Sequence, residues 1–357
     1  MKRKVIQLDF INEIIYCALD VHKKSWYVNI RCKEFELENF CQKPSVEELL
    51  KHLQKNYPGA RYKVAYEAGF CGFGIQRHLS REGIECIVVN AADIPTSDKE
   101  KKRKQDKIDA RKIGRSLAKG ELECIYIPDM VMEHARSLVR ERSRLVQDQT
   151  RCKNRIWSLI MFSDLDADAD KPKQYWSRKF VESLKKLDCG SEPLRQALDI
   201  AIEEYVLIRQ LLTAATKRVR LLAADQLFAA IQESLRSIPG IGLINAMVIH
   251  TEIMEISRFK ILDHLCSYAG MVPDTESSGE KEKITGITHR SNNYLRTAIV
   301  ESSWIIIRKD PAMLMKYKAY CARMDQNKAI IKIARHLLNR IRYVWMNQTT
   351  YQKGIAA

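Results

Sequence analysis

The sequence contains no cysteine or histidine pattern typical of zinc binding or redox chemistry. Its ten cysteines include no CxxC pair, and its eight histidines form neither HxH nor HExxH. These absences argue against a zinc ribbon and a thioredoxin-like site, and no histidine is assigned to a metal. Cysteines scattered singly along a long chain are typical of buried, reduced thiols, so we expect a cytosolic protein.

Long apolar runs and nucleotide-binding loops are missing as well. No apolar run approaches the roughly 18 residues needed to span a bilayer. The N-terminal MKRKVIQLDF lacks the long apolar segment of a signal peptide. Gly69, Gly72 and Gly74 do not have the GxGxxG spacing, and no P-loop occurs. We therefore expect a cytoplasmic protein with no membrane partner and no ATP or dinucleotide site.

The charge of the chain is strongly one-sided. Sixty Lys and Arg residues against forty-four Asp and Glu residues give a formal net charge of +16. Phosphate contacts by Lys and Arg supply most of the sequence-independent affinity for nucleic acids, so this balance favours a polyanionic partner. The alternative is an ordinary basic protein of the cytosol or the ribosome.

Residues 1–128 predict an α/β domain with a mixed sheet. Strand-like segments alternate with helix-like segments after an initial hairpin, which is typical of a sheet covered by helices. The predicted strands are 14–21, 26–31, a polar strand directly before the first helix, 62–66, 85–89 and 123–128. The predicted helices are 45–56, 75–82 and 108–119.

Residues 129–226 predict a helical, coiled-coil-like arm, and residues 227–357 a mainly helical domain. A seven-residue recurrence in the first half of the arm indicates an amphipathic helix with an apolar seam. The seam residues are Leu138, Leu145, Cys152 and Leu159. An acidic, proline-containing stretch at 163–173 separates this helix from a second one expected at about 191–222. The pair would form an antiparallel hairpin that separates two domains or pairs two subunits.

Four carboxylates of the first domain stand at positions that suit a metal site. Asp20 and Glu67 end predicted strands, and Asp106 and Asp109 are three residues apart, on one face of a helix start. Carboxylates presented in this way can hold two hard divalent ions, and Mg²⁺ fits because it takes oxygen ligands. The alternative is that these acids are ordinary helix caps and strand ends, as Asp106 could be.

Two further features suit contact with a phosphate backbone. The basic run KEKKRKQDK, with Lys102, Arg103 and Lys104, directly precedes the aspartate pair. The turn at Gly240 and Gly242, in SIPGIGLINAMVIHTEI, resembles a helix-hairpin-helix, whose backbone N–H groups meet DNA phosphates. The alternatives are a solvated loop for the run and a tight interhelical turn for the glycines.

A serine in the last domain is a candidate nucleophile. Ser278 precedes Gly279, after a proline-containing turn and before a predicted short hairpin at 281–288. An activated hydroxyl can attack phosphorus and divide the transfer into two steps. Arg290 and Arg296 are candidates to bind the phosphate and stabilise its charge. Serines in loops are more often only turn formers.

In order along the chain, these motifs resemble those of the DEDD-type transposases of bacterial insertion sequences, whose relatives include the Piv-type DNA invertases. The resemblance covers nearly the whole chain. The segments that carry it are ALDVHKKS, YEAGFCGFGIQRHL, IPTSDKEKKRKQDKIDARKIG, LVRERSRLVQDQTRCKNRI, IPGIG and YAGMVPDTESSGEKEKITGITHRSNNYLRTAIVESSW. It implies an N-terminal RuvC-like domain with an RNase H fold, followed by a serine-bearing transposase domain.

The resemblance also implies roles for particular residues and partners. The four acids match Asp20, Glu67, Asp106 and Asp109, and the serine that forms a covalent phosphoserine link with DNA matches Ser278 rather than Ser277. Members are thought to join acids and serine across subunits, so a homodimer that becomes a tetramer on synapsis is expected. Some members bind a structured guide RNA from their own element, and we expect the basic surface to bind RNA as well as DNA.

The sequence departs mildly from the family pattern. His289 stands near the position where members often have Lys, so a phosphate contact there would pass to Arg290. Gln105 replaces the usual Thr before Asp106. Three alternative functions stay open: a site-specific invertase of the same family, a metal-dependent junction resolvase or nuclease without serine chemistry, and a non-catalytic protein that binds nucleic acid.

Overall fold

A computed structural model describes residues 10–96, 106–167, 175–278, 281–288 and 290–354. For residues 106, 107, 275–278 and 281–285 it describes only the backbone. The chain divides into two compact units, 1–127 and 128–357. The predicted arm and the predicted last domain lie within the second unit, and their separation into two domains stays a prediction.

The first unit is built on a five-stranded mixed sheet with the strand order β3-β2-β1-β4-β5. The pairs β1–β2 and β2–β3 are antiparallel, whereas β1–β4 and β4–β5 are parallel. The strands are β1 Ile14–Val21, β2 Trp26–Cys32, β3 Phe35–Gln42, β4 Arg61–Glu67 and β5 Glu85–Val89. The helices are α1 Val46–Asn56, α2 Gly74–Arg81 and α3 Asp106–Ala118. The predicted α/β class of this region is confirmed.

Alternation of side chains along the strands gives the sheet two covered faces. Ile15, Cys17 and Leu19 belong to the core on one face, together with side chains of α1 and α2. Ala18 of β1 and its neighbour Ala65 of β4 belong to a second, smaller core on the other face, where α3 packs. The small side chains of these two alanines allow the helix to lie close to the sheet.

The strand predicted at 123–128 is wrong. This segment has no regular secondary structure, although Ile125 donates a backbone hydrogen bond to Val88 O at 2.8 Å beside β5. Its alternating apolar residues arise because Ile125 and Ile127 pack against the sheet core. Apolar alternation reports burial of one side of the chain, but a strand also needs a continuous ladder of hydrogen bonds.

The second unit is mostly helical, which confirms the predicted class for the remainder of the chain. Its helices are α4 Met130–Phe162, α5 Arg178–Lys185, α6 Glu192–Ala223, α7 Gln226–Arg236, α8 Leu243–Ile253, α9 Leu262–Tyr268, α10 Asn293–Lys309, α11 Pro311–Cys321 and α12 Gln326–Asn347. A two-stranded antiparallel sheet, β6 Pro273–Ser278 and β7 Lys281–Ile287, lies between α9 and α10. Within the described parts of the chain, no helix is long and apolar enough to cross a membrane.

Helices α4 and α6 pack against each other along their lengths and run antiparallel. Cys152 Sγ approaches Ala201 O at 3.4 Å, and further toward the start of α4 Arg142 donates to Thr216 Oγ1 at 3.4 Å. Of the predicted seam, Cys152 is buried, whereas the three leucines are only half-buried. The buried stripe of α4 includes Ile156 and Ile160, four residues apart, because the seven-residue repeat drifts around a straight helix of 3.6 residues per turn.

The largest core of the second unit forms around α8, α10 and α12. Gly240, in the turn between α7 and α8, lies so close to α10 that a Cβ there would be 2.7 Å from Ser302 O. Its φ of +97° also lies in the region that only glycine adopts without strain. This close contact places the start of α8 on α10.

Replacement of this glycine will test how strictly the turn is constrained. We expect Gly240→Ala to lower the free energy of unfolding by about 1–3 kcal/mol from backbone strain alone, with a further loss from the contact with Ser302. Gly242→Ala is the matched control, since Gly242 has φ −82° and no atom within 4 Å of a Cβ. Urea unfolding of both variants measures the difference, and equal losses would contradict this account of the turn.

One core residue also gives the second unit a pH dependence. His250 is 2% exposed, and its ring lies between the rings of Phe228 and Trp345, with centroids 5.3 and 5.1 Å away. Burial lowers the pKa of His250 to about 4, although Glu255 acts in the opposite direction. Since the unfolded chain binds this proton near pH 6.5 and the folded chain does not, stability falls as the pH drops from about 6.5 to 4.

We expect the wild-type chain to lose up to about 3 kcal/mol of stability through His250 over this pH range. His250→Leu removes the titrating group, so this variant should show a correspondingly smaller loss. Urea unfolding at pH 7, 5.5 and 4.5 measures both slopes. Equal slopes in wild type and variant would mean that His250 is protonated in the folded state.

Candidate active site

Asp20 and Glu67 lie side by side at one edge of the sheet. Leu19 of β1 pairs with Tyr66 of β4 in parallel register, and each of the two acids is the next residue along its strand. Asp20 is on the same face as Ala18, and Glu67 is on the same face as Ala65, because side chains alternate along a strand. That face is the one on which α3 packs. The predicted pairing of strand-end acids is therefore present in the fold.

Helix α3 supplies the second pair of acids. Ile113 of this helix packs on the alanine face of the sheet, and Asp109 is one turn closer to the N-terminus of the helix. Asp106 is the first residue of α3, and the structure describes only its backbone. Lys102, Arg103 and Lys104 lie outside the described residues, so their role stays a prediction.

Asp20 and Asp109 have basic partners. Asp20 Oδ2 is 3.2 Å from His22 Nε2, and Asp109 Oδ1 is 3.2 Å from Lys112 Nζ. The side chain of Asp20 is 19% exposed and that of Asp109 is 31% exposed, so both are accessible from solvent. Among the side chains that the structure describes, no three of the His, Cys, Asp and Glu type lie together as a metal cluster. The arrangement is a pair of acids on the sheet with further acids on the helix that covers it.

The donors nevertheless suit a hard divalent cation. All four side chains offer carboxylate oxygens, which are the ligands that Mg²⁺ and Ca²⁺ take in proteins. Asp20, Glu67 and Asp109 are all at least partly solvent-accessible, so a cation could exchange water for their oxygens. The residues present fit such a metal by their chemistry, whereas sulfur and imidazole ligands are not part of the set.

Two contacts that the sequence analysis missed hold α3 on the sheet. Gly114 lies against Asn29 of β2, where a Cβ would be 2.3 Å from Asn29 Oδ1. Arg111 forms a bidentate pair with Glu36 of β3, with Nη2–Oε1 at 2.6 Å and Nε–Oε2 at 2.9 Å. Burial opposes ionisation of Glu36, but hydrogen bonds from Arg111 and Asn29 hold its pKa below the usual value. A glycine inside a predicted helix was the available signal of this close approach.

Ser278 lies at the far end of a strand, which corrects the predicted hairpin at 281–288. Residues 281–287 form the second strand only, β7, and the serine is the last residue of β6, paired with Lys281. The first strand was missed because Asp-Thr-Glu-Ser-Ser has no apolar alternation. A register shift between Asp274 and Thr275, opposite Gly286 with φ +143°, marks a bulge in the hairpin. Bulges of this kind redirect a strand and are frequent beside active sites.

The two arginines predicted to bind phosphate differ in their surroundings. Arg290 is exposed, and its backbone N–H donates to Thr288 Oγ1 at 3.2 Å. Arg296 is half-buried and donates from Nε to Ala269 O at 3.4 Å and from Nη2 to Thr288 O at 2.5 Å. Burial lowers the pKa of Arg296 from its usual value. It therefore holds together the two chain segments that enter and leave the hairpin, and phosphate contacts by either arginine stay a prediction.

A buried carboxylate near the hairpin also escaped the sequence analysis. Glu252 of α8 is 0% exposed and receives a bidentate pair of hydrogen bonds from Arg140 of α4, at 2.6 and 2.7 Å. Asn292 donates from Nδ2 to Glu252 Oε2 at 2.7 Å. An acid at the end of the apolar run AMVIHTEI was the only signal, and the sequence alone does not identify its partners.

A tight turn with two glycines joins α7 and α8 at the predicted place, and its assignment to a helix-hairpin-helix stays a prediction. Helix α7 ends at Arg236 and α8 begins at Leu243, with Gly240 and Gly242 in the turn between them. Gly242 is the N-cap residue of α8 and has no side chain to occupy the free N–H groups of the first turn. These groups suit an anion, and DNA as that anion stays a prediction.

In comparisons with known proteins, two family models match this chain, and several proteins are similar to it in sequence. A family model described as "Transposase IS116/IS110/IS902 family" matches residues 232–318. A DEDD-type IS110 model described as "Transposase" matches residues 17–162. The first match covers the turn and the serine hairpin, and the second covers the sheet with all four acids and the helix α4.

The relatives are transposases by name. A Sinorhizobium fredii protein named as a transposase, y4qE, is 29% identical over 255 residues, which are 71% of this chain and 60% of y4qE. A second from the same species, y4rJ, is 29% identical and covers 77% of this chain and 74% of its own length. The transposase for insertion sequence element IS1111A of Coxiella burnetii is 25% identical over 71% of this chain and 70% of its own.

The chain thus spans less than two thirds of y4qE but about seven tenths of the other two relatives. The two family models match separate regions in the order in which the sheet and the serine hairpin occur along the chain. Both parts of the chain are therefore similar to insertion-sequence transposases, residues 232–318 to those of the IS116/IS110/IS902 family and residues 17–162 to those of the DEDD type.

Proposed function

We propose that this chain is a DNA transposase that cuts and rejoins DNA with Ser278 as its nucleophile and with Asp20, Glu67, Asp106 and Asp109 as its metal-binding acids. The observation that carries the proposal is the register of β1 and β4, which brings two of these acids to one edge of the sheet beneath α3. The match of residues 17–162 to a DEDD-type transposase model supports the same assignment.

The chemistry of the serine is a pair of phosphoryl transfers. The Oγ of Ser278 attacks a DNA phosphorus, an Oγ–P bond forms, and the bond from phosphorus to the bridging sugar oxygen breaks. The hydroxyl proton leaves to a base, and the departing sugar oxygen takes up a proton. Attack by a sugar hydroxyl of another strand reverses these changes, rejoins the DNA and releases the serine. No external energy source is needed, because each step exchanges one phosphate ester for another.

The proposed role of the acids is to bind the cation that offsets the negative charge of the DNA phosphate. Asp20, Glu67, Asp106 and Asp109 would hold Mg²⁺, which supplies stabilisation of the negative charge on the reacting phosphate. His22 and Lys112 are the present partners of two of these acids. With these carboxylates bound to a cation, His22 and Lys112 would be able to contact the phosphates of the DNA.

The proposed partners are inferred from the positive net charge of the chain and from its similarity to transposases. DNA is the proposed substrate, which the net charge of +16 favours. We also propose a homodimer that becomes a tetramer on synapsis, with the α4–α6 hairpin as the pairing element and acids and serine combined between chains. Binding of a structured guide RNA is part of the same proposal, since a basic surface attracts RNA and DNA alike.

A covalent adduct tests the serine chemistry. With Mg²⁺, element-end DNA and the transcript of the flanking region, we expect the wild-type chain to form a protein–DNA adduct that survives a denaturing gel. Ser278→Ala and Asp106→Ala should each reduce the adduct at least about 10³-fold, as removal of a group from a catalytic unit does. Ser277→Ala is the matched control and should keep most of the adduct.

Cleavage without an adduct, unchanged by Ser278→Ala, would contradict serine chemistry and favour the metal nuclease. A site-specific invertase would give the same adduct. Only the DNA beside the gene distinguishes it, since an invertase is expected next to an invertible segment and a transposase within the ends of its own element.

Metal binding tests the acids without reference to turnover. Mn²⁺ can replace Mg²⁺ as a probe, and its binding to Ser278→Ala protein with DNA can be titrated by electron paramagnetic resonance. We expect Glu67→Gln to weaken the binding at least about tenfold, because loss of a ligand typically costs that much or more. Glu123→Gln, at an exposed acid of the same unit, is the control. Equal binding in the two variants would rule out Glu67 as a ligand.

A further inference from the structure

The position of Ser278 depends on the base of the hairpin that carries it. Ser278 is six positions along the chain from Val272, at the base, so the strand places it about 20 Å away at ~3.3 Å per residue. A two-stranded ribbon is marginally stable by itself. A rotation of about 3° at the base would move the serine by about 1 Å, and an error of that size can cost roughly 10²-fold in rate.

The base of the hairpin is closed by three contacts. Thr288 N donates to Val272 O at 3.1 Å, where the two strands meet. Arg296 of α10 then joins Thr288 O to Ala269 O, as described above. Gly270, with φ +68°, leaves room for this guanidinium, since a Cβ there would be 2.0 Å from Arg296 Nη2. The chain segments on both sides of the hairpin are thereby tied to α10.

The start of α10 is fixed in turn by Asn292. Its Oδ1 accepts from Leu295 N at 3.1 Å as the helix cap, and its backbone N donates to Tyr268 O at 3.0 Å. Its Nδ2 donates to both Glu252 Oε2 and Tyr268 Oη, at 2.7 and 3.1 Å. Tyr268 Oη donates to Glu252 O at 3.0 Å. One side chain thus connects the helices on either side of the hairpin to the buried carboxylate.

Arg140 connects this carboxylate to the long helix α4. Its guanidinium forms the bidentate pair with Glu252 and lies 4.9 Å from the centre of the Tyr294 ring. Bidentate pairing fixes direction as well as distance, because the two N–H groups match the two carboxylate oxygens. Burial of a carboxylate costs desolvation free energy, and a well-packed apolar pair can replace a buried ion pair without loss of stability. Stability alone therefore does not explain why Glu252 is buried here. An apolar pair would not reproduce the fixed direction of the two hydrogen bonds between Arg140 and Glu252.

We propose that Arg140, Glu252 and Asn292 are positioning residues that hold the base of the serine hairpin in one orientation relative to α4. This inference rests on the proposed function of Ser278. The three residues act through the hairpin and do not touch the reacting atoms. The long helix α4 therefore helps to set the position of the strand that carries Ser278.

The test replaces the charged side chains of Arg140 and Glu252 with apolar ones of similar size. Arg140→Met/Glu252→Met removes both members of the ion pair together, so neither is left in the interior without the other, and we expect folding close to wild type. We expect unchanged DNA affinity but a rate of adduct formation at saturating DNA that is about 10²-fold lower. Spin labels at Lys283 in β7 and Lys328 in α12 should show a broader distance distribution than in the wild type. Glu252→Gln, which leaves Arg140 without its counterion, should show the same effects with lower stability.

The matched control is Arg195→Met/Asp199→Met, which removes another bidentate pair, with 3.0 and 2.6 Å bonds, in a different core. It should keep the wild-type distance distribution of the hairpin. A wild-type rate and distribution in Arg140→Met/Glu252→Met would overturn the positioning role and leave only a structural one. If Ser278→Ala still formed the adduct, the proposed nucleophile would be wrong, and the distance distribution alone would decide whether the three residues orient the hairpin.

Discussion

In a parallel pair of strands, residues that lie opposite each other in the register project from the same face of the sheet. Residues at the carboxyl ends of the two strands therefore lie side by side. The register that pairs Leu19 with Tyr66 therefore fixes Asp20 beside Glu67 without any further contact between them. Helix α3 depends on the same sheet, because Gly114 and the Arg111–Glu36 pair hold it against β2 and β3. Strand pairing thus positions Asp20 and Glu67, and close packing of α3 positions Asp109.

The serine is positioned by a different principle. Its hairpin is a two-stranded ribbon with polar contacts at its base, and we propose that these contacts set its orientation. Those contacts lead through Arg296 and Asn292 to the buried Glu252 and on to Arg140 of α4. A rigid sheet holds the proposed metal ligands, whereas a hydrogen-bonded support holds the proposed nucleophile. Such a support fixes direction at a cost in stability that an apolar core would not incur.

The sequence predicted those features that depend on local periodicity or on the family motifs. Strands β1, β2, β4 and β5 were predicted because their apolar residues are nearly continuous, and the long helices because of their repeats. Strand β6 was missed because its residues are polar, and 123–128 was wrongly predicted because burial on one side resembles a strand. The partners of Glu252 and the close approach at Gly114 could not be predicted, since each joins segments that are far apart along the chain.

The central claim, that a serine of the hairpin becomes linked to DNA, is tested most directly by locating the bond. The adduct formed with element-end DNA can be digested with protease and nuclease, and the modified peptide sequenced by mass spectrometry. The account predicts a nucleotide attached through phosphate to Ser278. A nucleotide on Ser277 or on a tyrosine, or cleaved DNA with free ends and an unmodified hairpin peptide, would contradict it.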